Sequence, residues 1–161
     1  MYVKYEVLRT GETKPALYTG RPLYRVRALV DLRDDDNVLF VKTGDVGGWV
    51  ESEKNLSQFG RCWIFNEAAC WYHGYVTNNA RLCDYAVCWA GAVISGNARV
   101  SQRASVNGTT HVIDDSRVSG NARVTAGSLV FERATISGTA HLRMNYRVGG
   151  DTFITSGTYP R

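Results

Sequence analysis

The residues of this 161-residue chain whose types could support chemistry are three histidines, four cysteines and a spaced set of arginines. A histidine serves as a general base when a carboxylate orients it, and His111 has Asp114 and Asp115 close by in sequence. A structural zinc site calls for paired Cys or His ligands at short spacing. Cys62, Cys70, Cys83 and Cys88 contain no CxxC pair, and His73, His111 and His141 are scattered. Neither a GxSxG elbow nor a phosphate-cradling P-loop is present. No catalytic residue, metal ligand or cofactor motif is therefore expected. What remains is recognition chemistry. Arg81, Arg99 and Arg117 recur every eighteen residues and suit an acidic or phosphate-bearing partner. Trp71, Trp89, Tyr72, Tyr75 and Tyr85 are of the types enriched at binding hot spots.

The elements that must position these residues follow from a period of six. From Gly60 the chain divides into GRCWIF, NEAACW, YHGYVT, NNARLC, DYAVCW and so on to SGTYPR, seventeen blocks over 102 residues without an insertion. The fifth place holds Ile64, Cys70, Val76, Leu82, Cys88, Ile94, Val100 and onward to Ile154, with Pro160 last; the third is small, from Cys62 and Ala68 to Ala140. Two inward residues around one outward residue describe a very short strand, and the other three places turn a corner. Stacked units of this kind bury a continuous core that one unit cannot bury alone.

These blocks resemble the hexapeptide repeat of left-handed parallel β-helices, in which an aliphatic residue is followed four places later by a small one, as in Val100 to Ala104. The resemblance implies triangular coils of eighteen residues and supplies the handedness. The stretch GDVGGWVESEKNLS, with the later GNARV repeats, is similar to a group of bacterial and prophage proteins without a defined biochemical role, some labelled transferases on fold likeness alone. That likeness implies a phage accessory role, such as binding and blocking a host protein. Hexapeptide-repeat acyltransferases place a histidine in a cleft between trimer subunits beside a loop that leaves the coils. Here no such loop interrupts the register, so a trimeric acyl-CoA-dependent acyltransferase stands as the alternative, with His111 and His141 its testable residues.

Eighteen-residue stacking sets Trp63, Arg81, Arg99, Arg117, Thr135 and Phe153 in one outward column, with Asp114, Asp115 and Glu132 near enough to neutralise its lower part; the column is either a solvated polar face or a dock for an anionic partner. Trp71 and Trp89 share another column, with Tyr72, Tyr75 and Tyr85 near them. They form either an interface or a surface covered by the N-terminal segment. Ile113 and Phe131 are apolar candidates for self-association as a dimer or trimer. Cys62, Cys70 and Cys88 fall at inward places, so buried free thiols are expected.

Ahead of the repeat, residues 2 to 8 alternate as a half-buried strand does, with Tyr2, Lys4 and Glu6 facing one way and Val3, Tyr5 and Val7 the other. Thr10 to Pro15 reads as a turn, and Leu23 to Leu32 and Val38 to Lys42 as further strands. These form an antiparallel β cap over residues 1–43, and residues 44–161 form the parallel β-helix with an irregular first coil. Run backwards, the repeat puts Val46 at a fifth place and Val50 and Leu56 at third places. Gly47-Gly48 marks a tight bend, and Trp49 seals the coil's end.

The chain has 19 Lys and Arg against 15 Asp and Glu, for a net charge of +4. Residues 1–59 carry nine of each sign and residues 60–161 ten basic against six acidic, so the excess lies on the repeat. That is weaker than nucleic-acid binders show, and bases stack at a different spacing from coils, which disfavours sequence-specific nucleic acid. Anionic polymer binding is the third function carried forward. No long apolar run marks a membrane span or leader, and a cytoplasmic location is expected. The expectation is an all-β chain, a left-handed parallel β-helix with an N-terminal antiparallel β cap, acting as a non-catalytic protein-binding or scaffolding module.

Overall fold

The computed structural model describes residues 3–161, so Tyr2 lies outside the described residues. It is all-β apart from a single 3-10 turn at Glu53–Asn55. Seventeen strands of two or three residues, from Trp63–Ile64 to Thr158–Tyr159, stack in parallel into three walls. The first wall is six strands deep and contains Arg81, Arg99 and Arg117; the second has five strands and contains His111. The third wall continues into the N-terminal strands. Registers such as Leu82↔Val100↔Val118 and Cys88↔Val106↔Val124 advance by eighteen residues per coil.

The hexad places take up the positions their chemistry requires. Fifth-place residues from Ile64 to Leu142 have no exposure, and neither do third-place residues such as Ala80, Ala98 and Ala122. Cys62, Cys70 and Cys88 are buried free thiols. Burial pushes the Cys70 thiol well above its usual pKa, and its neighbour Cys88 adds to the rise. The corners are made by the first place, where every residue from Gly60 to Gly150 has positive φ. Glycine, Asn78, Asp84 and Asp114 tolerate this conformation, whereas Ala90, Gln102 and Ala126 hold it at a cost set by the Cβ. One corner in three is doubled, with two successive positive-φ residues at Tyr72-His73, Ala90-Gly91, Thr109 after Gly108, Ala126-Gly127 and Met144-Asn145.

The unbroken register ends one residue early. His141 pairs with Thr158 and Leu142 with Tyr159, an advance of seventeen, so Tyr159 takes the core place that counting assigned to Pro160. Tyr146 and Tyr159 then contact each other at 5.6 Å across the last coil.

The N-terminal segment departs further from expectation. Strands β1 (Tyr5–Val7), β2 (Thr13–Pro15) and β3 (Pro22–Ala28) are antiparallel neighbours, so part of Thr10 to Pro15 is a strand rather than a turn. The other neighbour of β3 is not residues 38–42. Strand β5 (Leu39–Val41) folds back on β4 (Leu32–Arg33), and β6 (Val46–Val50) takes the place beside β3. β6 is antiparallel to β3 on one edge and parallel to Ala69–Cys70 on the other, so cap and third wall are one sheet. Val50 aligns with Cys70 and Leu56 with Val76, an advance of twenty, which makes both of them fifth-place residues. Val46 is 56% exposed and outside the core.

Gly47 and Gly48 lie within β6 rather than at a bend. They are needed because the strand lies flush on the first coil: a Cβ at Gly47 would stand 2.6 Å from Ile64 O, and one at Gly48 would meet Ala68 O and Ile64 Cγ2. Trp49 packs outside the tube with Ala16, Leu23, Ala69 and Trp71, and its Nε1 donates to Glu67 Oε2 at 3.1 Å.

The coil's open end is closed instead by β1 and the residue before it. Alternation sets Lys4 on one face and Val3 and Tyr5 on the other, but Lys4 and Tyr5 both have no exposure and Val3 is 43% exposed. The Lys4 ammonium donates to Cys62 O at 2.8 Å and Gly60 O at 3.4 Å and approaches Cys62 Sγ at 3.2 Å, carbonyls that otherwise face an unpaired coil edge. Burial pulls its pKa below the usual lysine value, with Cys62 opposing the shift. Tyr5 donates its hydroxyl to Leu56 O at 2.5 Å, and burial pushes its pKa up.

Two carboxylates tie the cap to the coils. Glu53 takes a bidentate pair from Arg9 at 2.7 and 2.6 Å, and Glu67 accepts from Arg25 at 2.5 Å. Those hydrogen bonds hold both carboxyls below their usual pKa of 4.5. A depressed folded pKa contributes stability that is present above the unfolded value and lost as pH falls through the folded one. The cap should therefore loosen in acid before the coils do. Hydrogen exchange, corrected for intrinsic rate, should show Tyr24 and Val26 amides losing protection between pH 7 and pH 3 while Val100 and Val106 keep theirs. Equal loss at all four would contradict it.

Candidate binding surface

The first wall presents two outward rows. Register confirms the column Trp63, Arg81, Arg99, Arg117, Thr135 and Phe153 as successive strand partners. Its upper end is partly covered: Trp63 is 2% exposed, packed against Tyr5, and Arg81 is half-buried with its guanidinium 3.9 Å over the Phe40 ring. Burial, followed by the charge of Arg99, lowers the Arg81 pKa. Arg99 and Arg117 are exposed, with no ion pair and no side-chain hydrogen bond among the described residues.

The carboxylates expected to neutralise them are engaged along the corners. Asp114 Oδ2 accepts from Glu132 N at 2.9 Å, Asp115 Oδ1 from Asn97 Nδ2 at 3.0 Å, and Glu132 from Gly150 N. Asn97 in turn accepts from Asn79 at 3.3 Å, and Asn79 accepts from Arg61 N at 3.2 Å. Corner side chains thus satisfy one another from coil to coil and leave the ladder without counter-ions.

Beside the arginines runs a second row at the sixth place: Phe65, Cys83, Ser101, Ser119, Ser137 and Thr155. Burial pushes the Cys83 pKa up to about 11, so it is not a thiolate nucleophile near neutrality. Arg99, Arg117, Ser101, Ser119, Ser137, Thr135 and Phe153 line one open groove of about 560 Å³. The spacing that places the arginines in a column also predicts this hydroxyl row.

A second groove of about 560 Å³ follows the corner between the first and third walls, past Tyr85, Gln102, Arg103 and Asn121. Asp84 and Gln102 line both grooves, so the two are continuous. Tyr85 is 57% exposed, with the Arg103 guanidinium 4.9 Å over its ring.

The aromatic residues expected to form one patch are dispersed. Trp71 and Trp89 do stack, with centroids 5.8 Å apart and planes 5° from parallel. Trp71 is 1% exposed, however, because the turn joining β2 to β3 lies over the third wall, with Ala16 and Leu23 on Trp71 and Tyr18 stacked on Trp89 at 4.7 Å. Trp71 is therefore a packing residue, and its buried Nε1 has no hydrogen-bond partner among the described residues. Trp89 is half-buried. Tyr72 sits exposed at a doubled corner beside His73, and Tyr75 is half-buried on the second wall. Ile113 and Phe131 are half-buried on that wall too.

The histidines do not converge. His73 stands at a corner, His111 on the second wall and His141 on the third. His111 has no hydrogen bond to Asp114 or Asp115. His141 Nε2 is 3.0 Å from Thr125 Oγ1, and burial, then Arg123 and Arg143, lower its pKa. No group of three His, Cys, Asp or Glu among the described residues is placed to hold a metal ion. No helix among them is long and apolar enough to cross a membrane. No family model and no curated protein matches the chain.

Proposed function

We propose that this chain is a non-catalytic binding module whose first wall holds an acidic protein partner, scaffolding it or blocking it. One observation carries this reading: Arg99 and Arg117 face each other on neighbouring strands, exposed and without a counter-ion among the described residues. Like charges directly opposite in a sheet cost several tenths of a kcal/mol. The next residue of the column, Thr135, fills the same place without that cost. A destabilising arrangement kept next to a neutral solution suits recognition better than folding. The wall offers area rather than an enclosed pocket, as a protein partner requires. The likeness of GDVGGWVESEKNLS to prophage proteins supports a host protein as that partner and a phage accessory role.

The test starts with capture from a bacterial host lysate, identification of the partner by mass spectrometry, and calorimetry with the purified partner. Charged hydrogen bonds contribute about 1.5–3 kcal/mol each, so Arg99→Thr and Arg117→Thr should each weaken binding about tenfold or more. Circular dichroism should stay unchanged, and the melting temperature should hold or rise slightly. A partner that lacks an acidic face, or one that binds the double variant as tightly as wild type, removes the proposal. So does stoichiometric acyl-CoA binding with turnover that depends on His111 or His141.

A further inference from the structure

We infer that the anion read by the first wall is a phosphomonoester on a phosphorylated protein segment, held between Arg99 and Arg117. This rests on the binding reading above and names its chemistry. The two arginines are strand partners one coil apart, about 4.8 Å along the wall. Two forked guanidiniums at that separation can share one tetrahedral anion. A carboxylate, with one charge and two oxygens in a plane, is satisfied by a single fork. A phosphomonoester carries nearly two charges and three acceptor oxygens, so it uses both cations and still has lone pairs to spare. The groove supplies donors for these. Ser101, Ser119 and Ser137 line it, and none of their hydroxyls makes a hydrogen bond among the described residues. The one carboxylate in the lining, Asp84, accepts from Gln102 N through Oδ2 at 2.9 Å.

The length of the ladder selects a single dianion over a polyanion. Arg81, the third rung, is half-buried against Phe40 at 3.9 Å, and below Arg117 the column becomes Thr135. A nucleic-acid strand running along the ladder would meet no cation in the column beyond Arg117 and only the half-buried Arg81 before Arg99. The openness of the groove selects a protein-borne phosphate over a free one, which nothing else would retain. Flanking residues have surfaces to meet: Phe153, 67% exposed, at one end, and Tyr85 with Arg103 round the corner at the other.

The experiment titrates nitrogen-labelled protein, at constant ionic strength, with the peptide Leu-Leu-phosphoserine-Leu-Leu. The same peptide with glutamate or serine at the centre, inorganic phosphate and a short single-stranded oligonucleotide serve as comparisons. The phosphopeptide should shift the Arg99 and Arg117 guanidinium and the Ser101 and Ser119 amide signals. It should bind at least tenfold more tightly than the glutamate peptide, and inorganic phosphate should bind weakly at the same signals. Binding should strengthen from pH 5 to pH 7 as the phosphate takes its second charge near about 6. Arg117→Thr should abolish the preference. Equal affinity for glutamate and phosphoserine, or tighter binding of the oligonucleotide, would overturn the inference. If a natural acidic partner is still lost with the Arg99→Thr/Arg117→Thr variant, the broader binding reading survives that failure; if that partner is retained by the variant, the broader reading fails.

Discussion

Gly48→Ala should destabilise the protein by about 3 kcal/mol or more, through overpacking that the structure has no room to relax. The methyl group would meet a backbone carbonyl, Ala68 O, and a core methyl, Ile64 Cγ2. Neither can withdraw. Ala68 O accepts from Trp49 N at 2.9 Å, and Ile64 is fully buried in the first coil. Because β6 is the one strand joining the antiparallel cap to the parallel wall, any shift that admits the methyl also disturbs the pairing of Val50 with Cys70. The loss should appear as a melting temperature lower by roughly 6–12 °C, at about 2–4 °C per kcal/mol for a chain of this size. Gly44→Ala is the control on the same segment: a Cβ there meets nothing within 4 Å, and its positive φ of 95° costs only local strain. A Gly48→Ala protein that melts with wild type would show that β6 does not lie flush on the coil.

Asn55→Ala should cost a comparable amount, about 3 kcal/mol, for a different reason. The side chain is 3% exposed, and it stands in for a missing stretch of strand. Its Oδ1 accepts from Glu51 N and Ser52 N, both at 3.0 Å, and its Nδ2 donates to Gly74 O at 2.9 Å. Alanine would leave those three backbone groups without partners, Gly74 O at a buried place and the two amides at half-buried ones, at about 1 kcal/mol each. Lys54→Ala, one residue earlier and exposed, should change stability by less than about 0.5 kcal/mol. Chemical denaturation of the two variants beside wild type decides it: equal midpoints would mean that Asn55 is dispensable.

These two positions also mark the limit of what periodicity could reveal. The coil interior was legible because Val100 and Ala104, or Val118 and Ala122, repeat a pattern whose only economical arrangement is an inward row. The arginine column followed from the same spacing, and the serine row beside it was there to be found. The counter-ions were misjudged because nearness in sequence was taken for contact. Asp114 and Asp115 belong to the corners, where side chains bond to the coils above and below.

The segment from Glu51 to Gln58 resisted for a related reason. Gln58, which breaks the hexad, is the group that fastens β1: its Oε1 accepts from Lys4 N at 2.8 Å and its Nε2 donates to Tyr5 O at 3.1 Å. A side chain imitating a strand edge leaves no trace in an apolar period. Lys4 is buried although alternation places it on the face opposite the buried Tyr5. Its stem and ammonium instead fill a space walled by carbonyls. For Trp71 the sequence leaves an interface and a cover open, and the strand at Thr13–Pro15, which brings Ala16 over it, decides for the cover.

Lys4 reaches its acceptor across fifty-eight residues of chain. As the polypeptide leaves the ribosome, its first strand must wait for residues far downstream to be made before it has anything to dock on. Each later coil needs only the eighteen residues before it. Once Cys62 and the corner beyond it have emerged and given the first strand its dock, the tube can lengthen as fast as it is translated.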